Sequence, residues 1–238
     1  MATAMPAAGT PVRSAVPSTT ELSPIWHPSP NFGPRRDGLK PALIVLHYTA
    51  MESASAALER LCDPGPEVSA HYLIGGNGEL WQLVREEDRA WHAGAGEWQG
   101  QTDINSRSIG IELDNRGDHP FSEPQMNALE QLLSKLMRRW SIPPEGIIGH
   151  SDMAPGRKTD PGPRFDWQRL ERQSLAAPSG TEAPSGSTFR ALAQVRGYTA
   201  DVDDDILLKT IRLRHRPWAK GPLHPDDFKA LALPPHPT

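Results

Sequence analysis

Cysteine is nearly absent. Cys62 stands alone in 238 residues, so no internal disulfide can staple the fold. Long apolar runs are missing too, and none approaches the roughly 18 residues of a membrane-spanning helix. There is no basic excess: 25 Lys and Arg stand against 29 Asp and Glu, a formal charge of −4, so no nucleic-acid partner is expected. The start of the chain, Met1 to Glu21, lacks a charged segment followed by roughly 7–15 apolar residues, and has no cysteine to carry lipid. No secretory leader or membrane attachment is expected. Gly-x-Ser-x-Gly, Walker and Cys-x-x-Cys motifs are also missing. Gly94-Ala95-Gly96 lacks the third glycine of a dinucleotide loop.

Proline, in contrast, is abundant. There are 25, with seven in residues 1–34 and six in 217–238, so the ends read as irregular and the middle carries the fold. Residues 1–24 read as a disordered lead-in, 25–175 as the main domain, 176–187 as a flexible linker and 188–238 as a small helical appendage. Ala42 to Leu46 is an unbroken apolar run and predicts a buried central strand. Residues 53–62 have helical spacing, and 69–74 with 79–84 predict a hairpin across Gly75-Gly76-Asn77-Gly78. Strands are also expected at 108–113 and 146–150. A helix capped by Ser122 should run over 124–140 and a closing helix over 165–175. Interleaved strands and helices with an antiparallel hairpin imply an α/β fold, a mixed central sheet covered by helices.

The polar residues of interest stand where apolar strands end. His47 follows the central strand, His150 ends another, and Asp160 lies ten positions on. Two imidazoles and a carboxylate suit a catalytic zinc with its fourth position open to water. Each residue taken alone also suits a hydrogen-bonded rim position or, for Asp160 before Pro161, a turn. Glu112 interrupts Ile109-Gly110-Ile111-x-Leu113. Either it faces solvent by simple strand alternation, or it is buried with a raised pKa and can shuttle protons. Pattern alone leaves both open.

Five segments occur in order: Val45-Leu46-His47-Tyr48-Thr49, Val68 to Ile74 (VSAHYLI), Ala90-Trp91-His92-Ala93-Gly94, Ser108 to Leu113 (SIGIEL), and Gly149-His150-Ser151-Asp152 through Lys158-Thr159-Asp160-Pro161-Gly162-Pro163. Together they make residues 26–175 closely resemble zinc-dependent N-acetylmuramoyl-L-alanine amidases of the AmpD/AmiD type, which share the peptidoglycan recognition protein fold. The resemblance implies one Zn2+ per chain held by His47, His150 and Asp160. It also implies Glu112 as the residue that activates water and Lys158 as the cation beside the scissile carbonyl. Trp91 and His92 would line the substrate groove, with Arg157 available to a stem-peptide carboxylate. The bond cut would join the lactyl group of muramic acid to L-alanine of the stem peptide, with muropeptides and anhydro-muropeptides as substrates.

Further expectations follow from the same resemblance. His71 is expected to be structural. Glu67 stands where cytoplasmic AmpD-type members can carry a basic residue, which leans toward the broader AmiD-type substrate range. Residues 188–238, with Arg214-His215-Arg216-Pro217-Trp218, resemble a shortened three-helix peptidoglycan-binding-like unit, for which glycan binding and simple packing against the main domain are the two alternatives. A monomer in the cytoplasm, acting in wall turnover and recycling, is the expected setting; the periplasm is the alternative. The competing function is a recognition module of the same fold that binds wall fragments without cutting them, though such modules typically lack a metal ligand and none is missing here. A third reading is zinc hydrolysis of another amide.

Overall fold

The computed structural model describes residues 22–182 and 186–232, and expectations for the remaining positions lie outside the described residues. The strands are β1 (Ile25–Trp26), β2 (Phe32–Pro34), β3 (Leu43–Tyr48), β4 (Tyr72–Ile74), β5 (Leu80–Gln82), β6 (Asp88–Ala90), β7 (Ser108–Leu113) and β8 (Ile147–Gly149). The helices are α1 (Ala54–Cys62), α2 (Ile104–Arg107), α3 (Glu123–Trp140), α4 (His150–Met153), α5 (Trp167–Arg172), α6 (Phe189–Val195), α7 (Asp204–His215) and α8 (Pro225–Leu231). Six strands form one sheet in the order β1-β5-β4-β7-β3-β8, and β2 pairs with β6 separately. Strands β4, β7, β3 and β8 run parallel, whereas β4 and β5 form the expected antiparallel hairpin. The sheet is therefore mixed and flanked by helices, as the sequence pattern implies.

Alternation along the parallel strands sorts their side chains into two faces. Ile44 and Leu46, Ile109, Ile111 and Leu113, Tyr72 and Ile74, and Ile147 join one continuous core with the apolar stripe of α3, including Leu129, Leu132, Leu133 and Leu136. Ser122 caps α3 by accepting from the Gln125 N–H, and Pro124 sits in its first turn, where a missing N–H costs nothing. Ser141 ends the helix in a left-handed conformation ahead of Pro143-Pro144.

The opposite face is divided. Leu73 meets α1 at one side. At the other, Leu43, Val45 and Ile148 share a core with Phe189, Leu192, Leu207 and Ile211 of the carboxyl-terminal helices and with Tyr198 between them. The helices α6 to α8 thus cover part of the sheet itself. The stretch marked as linker by composition is packed where it begins: Ala176 and Ala177 are buried, and Ser179 bonds to Glu171 and His215. Between α1 and the carboxyl-terminal helices, toward the carboxyl ends of the parallel strands, lies the polar part of this face.

Several element boundaries differ from expectation, among them the hairpin strands, which are shorter than 69–74 and 79–84, and two differences have a clear local cause. His150 opens α4 instead of ending the strand, because the Asp152 carboxylate accepts the Gly149 N–H and turns the chain there. Helix α5 is shorter than predicted, since Asp166 caps it by accepting from the Arg169 N–H and Ser174 adopts a positive φ. No helix among the described residues is long and apolar enough to cross a membrane.

Candidate active site and metal centre

His47 and Glu112 are register partners on the adjacent parallel strands β3 and β7, and Leu46 pairs with Gly149 beside them. Parallel pairing thereby brings residues far apart in sequence to one sheet edge, where α/β sheets commonly place ligands. His47 Nδ1 lies 2.9 Å from His150 Nδ1 and 2.9 Å from Asp160 Oδ2, and His150 Nδ1 lies 3.0 Å from the same oxygen. All three residues are buried. Ser151 N–H donates to the Asp160 carbonyl at 2.9 Å, tying the Asp160 loop to α4.

The hydrogen bonds around this triangle assign its protons. Ser108 Oγ donates to the Ile104 carbonyl at 2.6 Å, so it can only accept from His92 Nε2, 3.2 Å away. His92, kept neutral by burial among other imidazoles, then offers Nδ1 as an acceptor to the His47 Nε2–H at 3.0 Å. Burial also holds His47 down to about 4, with His150 acting in the same direction. Its Nδ1 is therefore a bare lone pair at neutral pH. His150 donates Nε2–H to the Ala93 carbonyl at 2.8 Å, which leaves Nδ1 facing His47 and Asp160.

Three buried ligand atoms thus face one another. A divalent cation is the group that such an arrangement fits. A tetrahedral zinc with bonds of about 2.0–2.1 Å needs ligand separations of about 3.4 Å, so the triangle would open by only a few tenths of an ångström. The His92–Ser108 chain is the kind of outer support that fixes a ligating imidazole's tautomer. Gly110 makes room for it, because a methyl group at this strand position would overlap the His92 ring.

The triangle opens onto a pocket of about 370 Å3, whose wall includes Trp91, Glu112, Arg157 and Lys158. Glu112 is half-buried, but its Oε2 is shut off from solvent without a hydrogen-bond partner. Burial pushes its carboxyl up to about 8, the Asp160 carboxylate adding to the effect and Lys158 opposing it. The alternation argument was right about the side of the sheet, but that side holds a pocket. Lys158 is exposed at the pocket rim. Arg157 donates to the carbonyls of Ala93 and Ala95, bracing the segment that orients His150. His71 is buried, accepts the Gly110 N–H at Nδ1 and bonds through Nε2 to the Asp88 carbonyl, a structural arrangement.

Sequence reasoning missed the supporting groups: Ser108, the Ala93 carbonyl, Gly110 and Asp152. A lone glycine inside an apolar strand was the one available signal, since it commonly marks a close approach. The others act through backbone geometry that spacing does not reveal.

The sequence profile of the family described as N-acetylmuramoyl-L-alanine amidase matches residues 37–163. N-acetylmuramoyl-L-alanine amidase AmiD of Escherichia coli K12 is 42% identical over 151 residues, which are 57% of this chain and 54% of that protein. The match thus spans about half the length of that relative. A 1,6-anhydro-N-acetylmuramyl-L-alanine amidase AmpD from Haemophilus influenzae is 35% identical over 159 residues, 59% of this chain and 86% of its own. The structure of Escherichia coli AmiD in complex with anhydro-N-acetylmuramic acid-L-Ala-D-gamma-Glu-L-Lys superposes with a TM-score of 0.71 at 32% identity, covering 84% of this chain and 88% of that one. AmpDh3 from Pseudomonas aeruginosa, in complex with an anhydromuramic pentapeptide, gives 0.72 at 28% identity over 92% and 96% of the two chains. With the matched profile running from before β3 to just past the Asp160 loop, the chain belongs to the N-acetylmuramoyl-L-alanine amidase family.

Proposed function

We propose that this protein is a zinc-dependent N-acetylmuramoyl-L-alanine amidase that hydrolyses the amide between the lactyl group of N-acetylmuramic acid, in its ordinary or anhydro form, and L-alanine of the stem peptide. The observation that carries the reading is the meeting of three buried ligand atoms, from His47, His150 and Asp160, beside a pocket that holds an unpartnered carboxyl oxygen. The two related structures named above hold muramyl peptides, which supports this substrate class.

His47, His150 and Asp160 would hold one zinc ion. Zinc there supplies Lewis acidity for the amide carbonyl and makes water easier to deprotonate. Glu112 takes the proton of the attacking water and passes it to the leaving nitrogen, a task suited to a carboxyl whose affinity for protons lies near neutral pH. Lys158, at the rim, balances the negative charge that grows on the carbonyl oxygen. Trp91 forms part of the wall against which the substrate rests. In this reading His92 positions His47, and Arg157 positions the Ala93–Ala95 segment, so both serve the ligands before they serve the substrate.

Incubation with purified muropeptides should release free peptide beginning with L-alanine, and a chelator should stop the release. Binding without cleavage by zinc-loaded protein would return the recognition-module reading. Cleavage of other amides alone would move the assignment to a different zinc hydrolase. Wall turnover by a cytoplasmic monomer belongs to the same proposal, and cell fractionation with size analysis tests that part of it.

A further inference from the structure

Of the residues by which the tail resembles a wall-binding unit, Arg214 and His215 are turned inward, whereas Trp218 is exposed. Arg214 is buried and reaches across to the corner between β8 and α4, where its NH1 donates to Asp152 Oδ2 at 3.0 Å and to the Ile147 carbonyl at 3.1 Å. The same guanidinium carbon lies 4.0 Å from the centre of the Trp167 ring. Tyr198, after α6, donates its hydroxyl to Asp152 Oδ1 at 2.9 Å, and its ring stands edge-on to Trp98 at 5.0 Å. Burial beside the Asp152 carboxylate pushes the Tyr198 phenol well above its usual range, so it stays a donor.

Asp152 is only 1% exposed and spends its remaining capacity on its own corner, accepting the Gly149 N–H at 2.8 Å. Every contact of Asp152 therefore either fixes the turn that presents His150 or joins that turn to the carboxyl-terminal helices. The next residue in the turn, Ser151, holds the Asp160 backbone. Two of the three ligand residues thus depend on one short corner, gripped by two side chains from beyond residue 195.

We propose that Arg214 and Tyr198 are positioning residues of the metal centre: through Asp152 they fix the β8–α4 corner on which His150 and Asp160 are aimed. The inference rests on the metal-centre reading given above. Its physical basis is directional: a buried carboxylate held from three sides cannot rotate, and the turn it caps cannot relax. Groups that orient ligands in this way typically change metal affinity by about 10–100-fold when removed.

The test uses the full chain loaded with zinc or cobalt. Tyr198→Phe keeps the ring against Trp98 and removes one hydroxyl, so it is the decisive variant; Arg214→Lys keeps the charge but loses the NH1 group that reaches both Asp152 and Ile147. Zinc affinity is measured by competition with a chromophoric chelator at a temperature where circular dichroism shows both proteins folded. The ligand field is read from the visible absorption of the cobalt form. Expected for Tyr198→Phe is about a 10-fold loss of zinc affinity with an altered cobalt spectrum, and a larger loss for Arg214→Lys. Parental affinity and spectrum in folded Tyr198→Phe would overturn the proposal, whether or not Arg214→Lys folds. An unmodified chain that takes up neither metal would instead bring down the metal-centre reading, and this inference with it.

Discussion

The two faces of the sheet are built from the same strands by the same alternation, yet only one of them carries chemistry. On the α3 face the positions of β3 and β7 that join the core are aliphatic, and the helix stripe closes over them. On the other face β3 begins apolar, with Leu43 and Val45, and ends polar, with His47, while β7 presents Ser108, Gly110 and Glu112. The core half of that face is sealed by α6 to α8, and the polar half is left to a pocket. The comparison shows how a fold can separate stability from reactivity across the thickness of a single sheet. It also shows where they meet, because His47 sits two residues from Val45 on one strand.

The sharpest way to break the comparison is to remove a ligand. His150→Ala should lose zinc and essentially all turnover while the α3 core stays intact, as metal analysis and circular dichroism would show. Next, Glu112→Ala should keep zinc yet lower kcat by about 10²–10⁴-fold, the usual weight of a general base; full activity would contradict its role. Leu133→Ala probes the silent face. It should cost about 2–5 kcal/mol in denaturant unfolding while kcat per folded molecule is unchanged.

The smallest effect is the pH response of the metal-free protein, and its sign follows from the divided face. Burial lowers His47 to about 4 and His71 to about 3, and lowers His92 and His215 well below 6.5. Below pH 6.5 the unfolded chain binds protons that the folded one refuses at these four sites, so stability falls on acidification. Glu112, raised to about 8, works the other way: its folded form keeps a proton that the unfolded chain sheds above about 4.5. Four imidazoles outweigh one carboxyl on the acid side, and Glu112 alone acts toward pH 8. Thermal melts of chelator-treated protein should therefore peak near pH 6.5, and Glu112→Gln should flatten the alkaline limb.

Much of this was legible from the amino acids. The unbroken run before His47 announced a central strand, and the stripe from Leu129 to Leu136 announced α3, because period and apolar content are local signals. The ordered motifs pointed to the ligand set through resemblance, whereas spacing could not, since the 103 positions between His47 and His150 become contact only through parallel pairing. His92, expected in the groove, does line the pocket, and its ring, seated over Gly110, is also bonded to His47, which sequence reasoning did not foresee. The tail was legible as helices but not as part of the sheet's cover. Its apolar residues look like those of any small bundle until their partners Val45 and Ile148 are known.

That cover constrains how the gene can be shortened. A stop codon in the Ala-Pro-Ser-Gly stretch after residue 176 would uncover Leu43, Val45, Ile148 and Met153 together and strand the Asp152 carboxylate without its cation. Lineages trimming this tail would need polar replacements along that stripe first, or the truncated product would clump before it could be selected for anything.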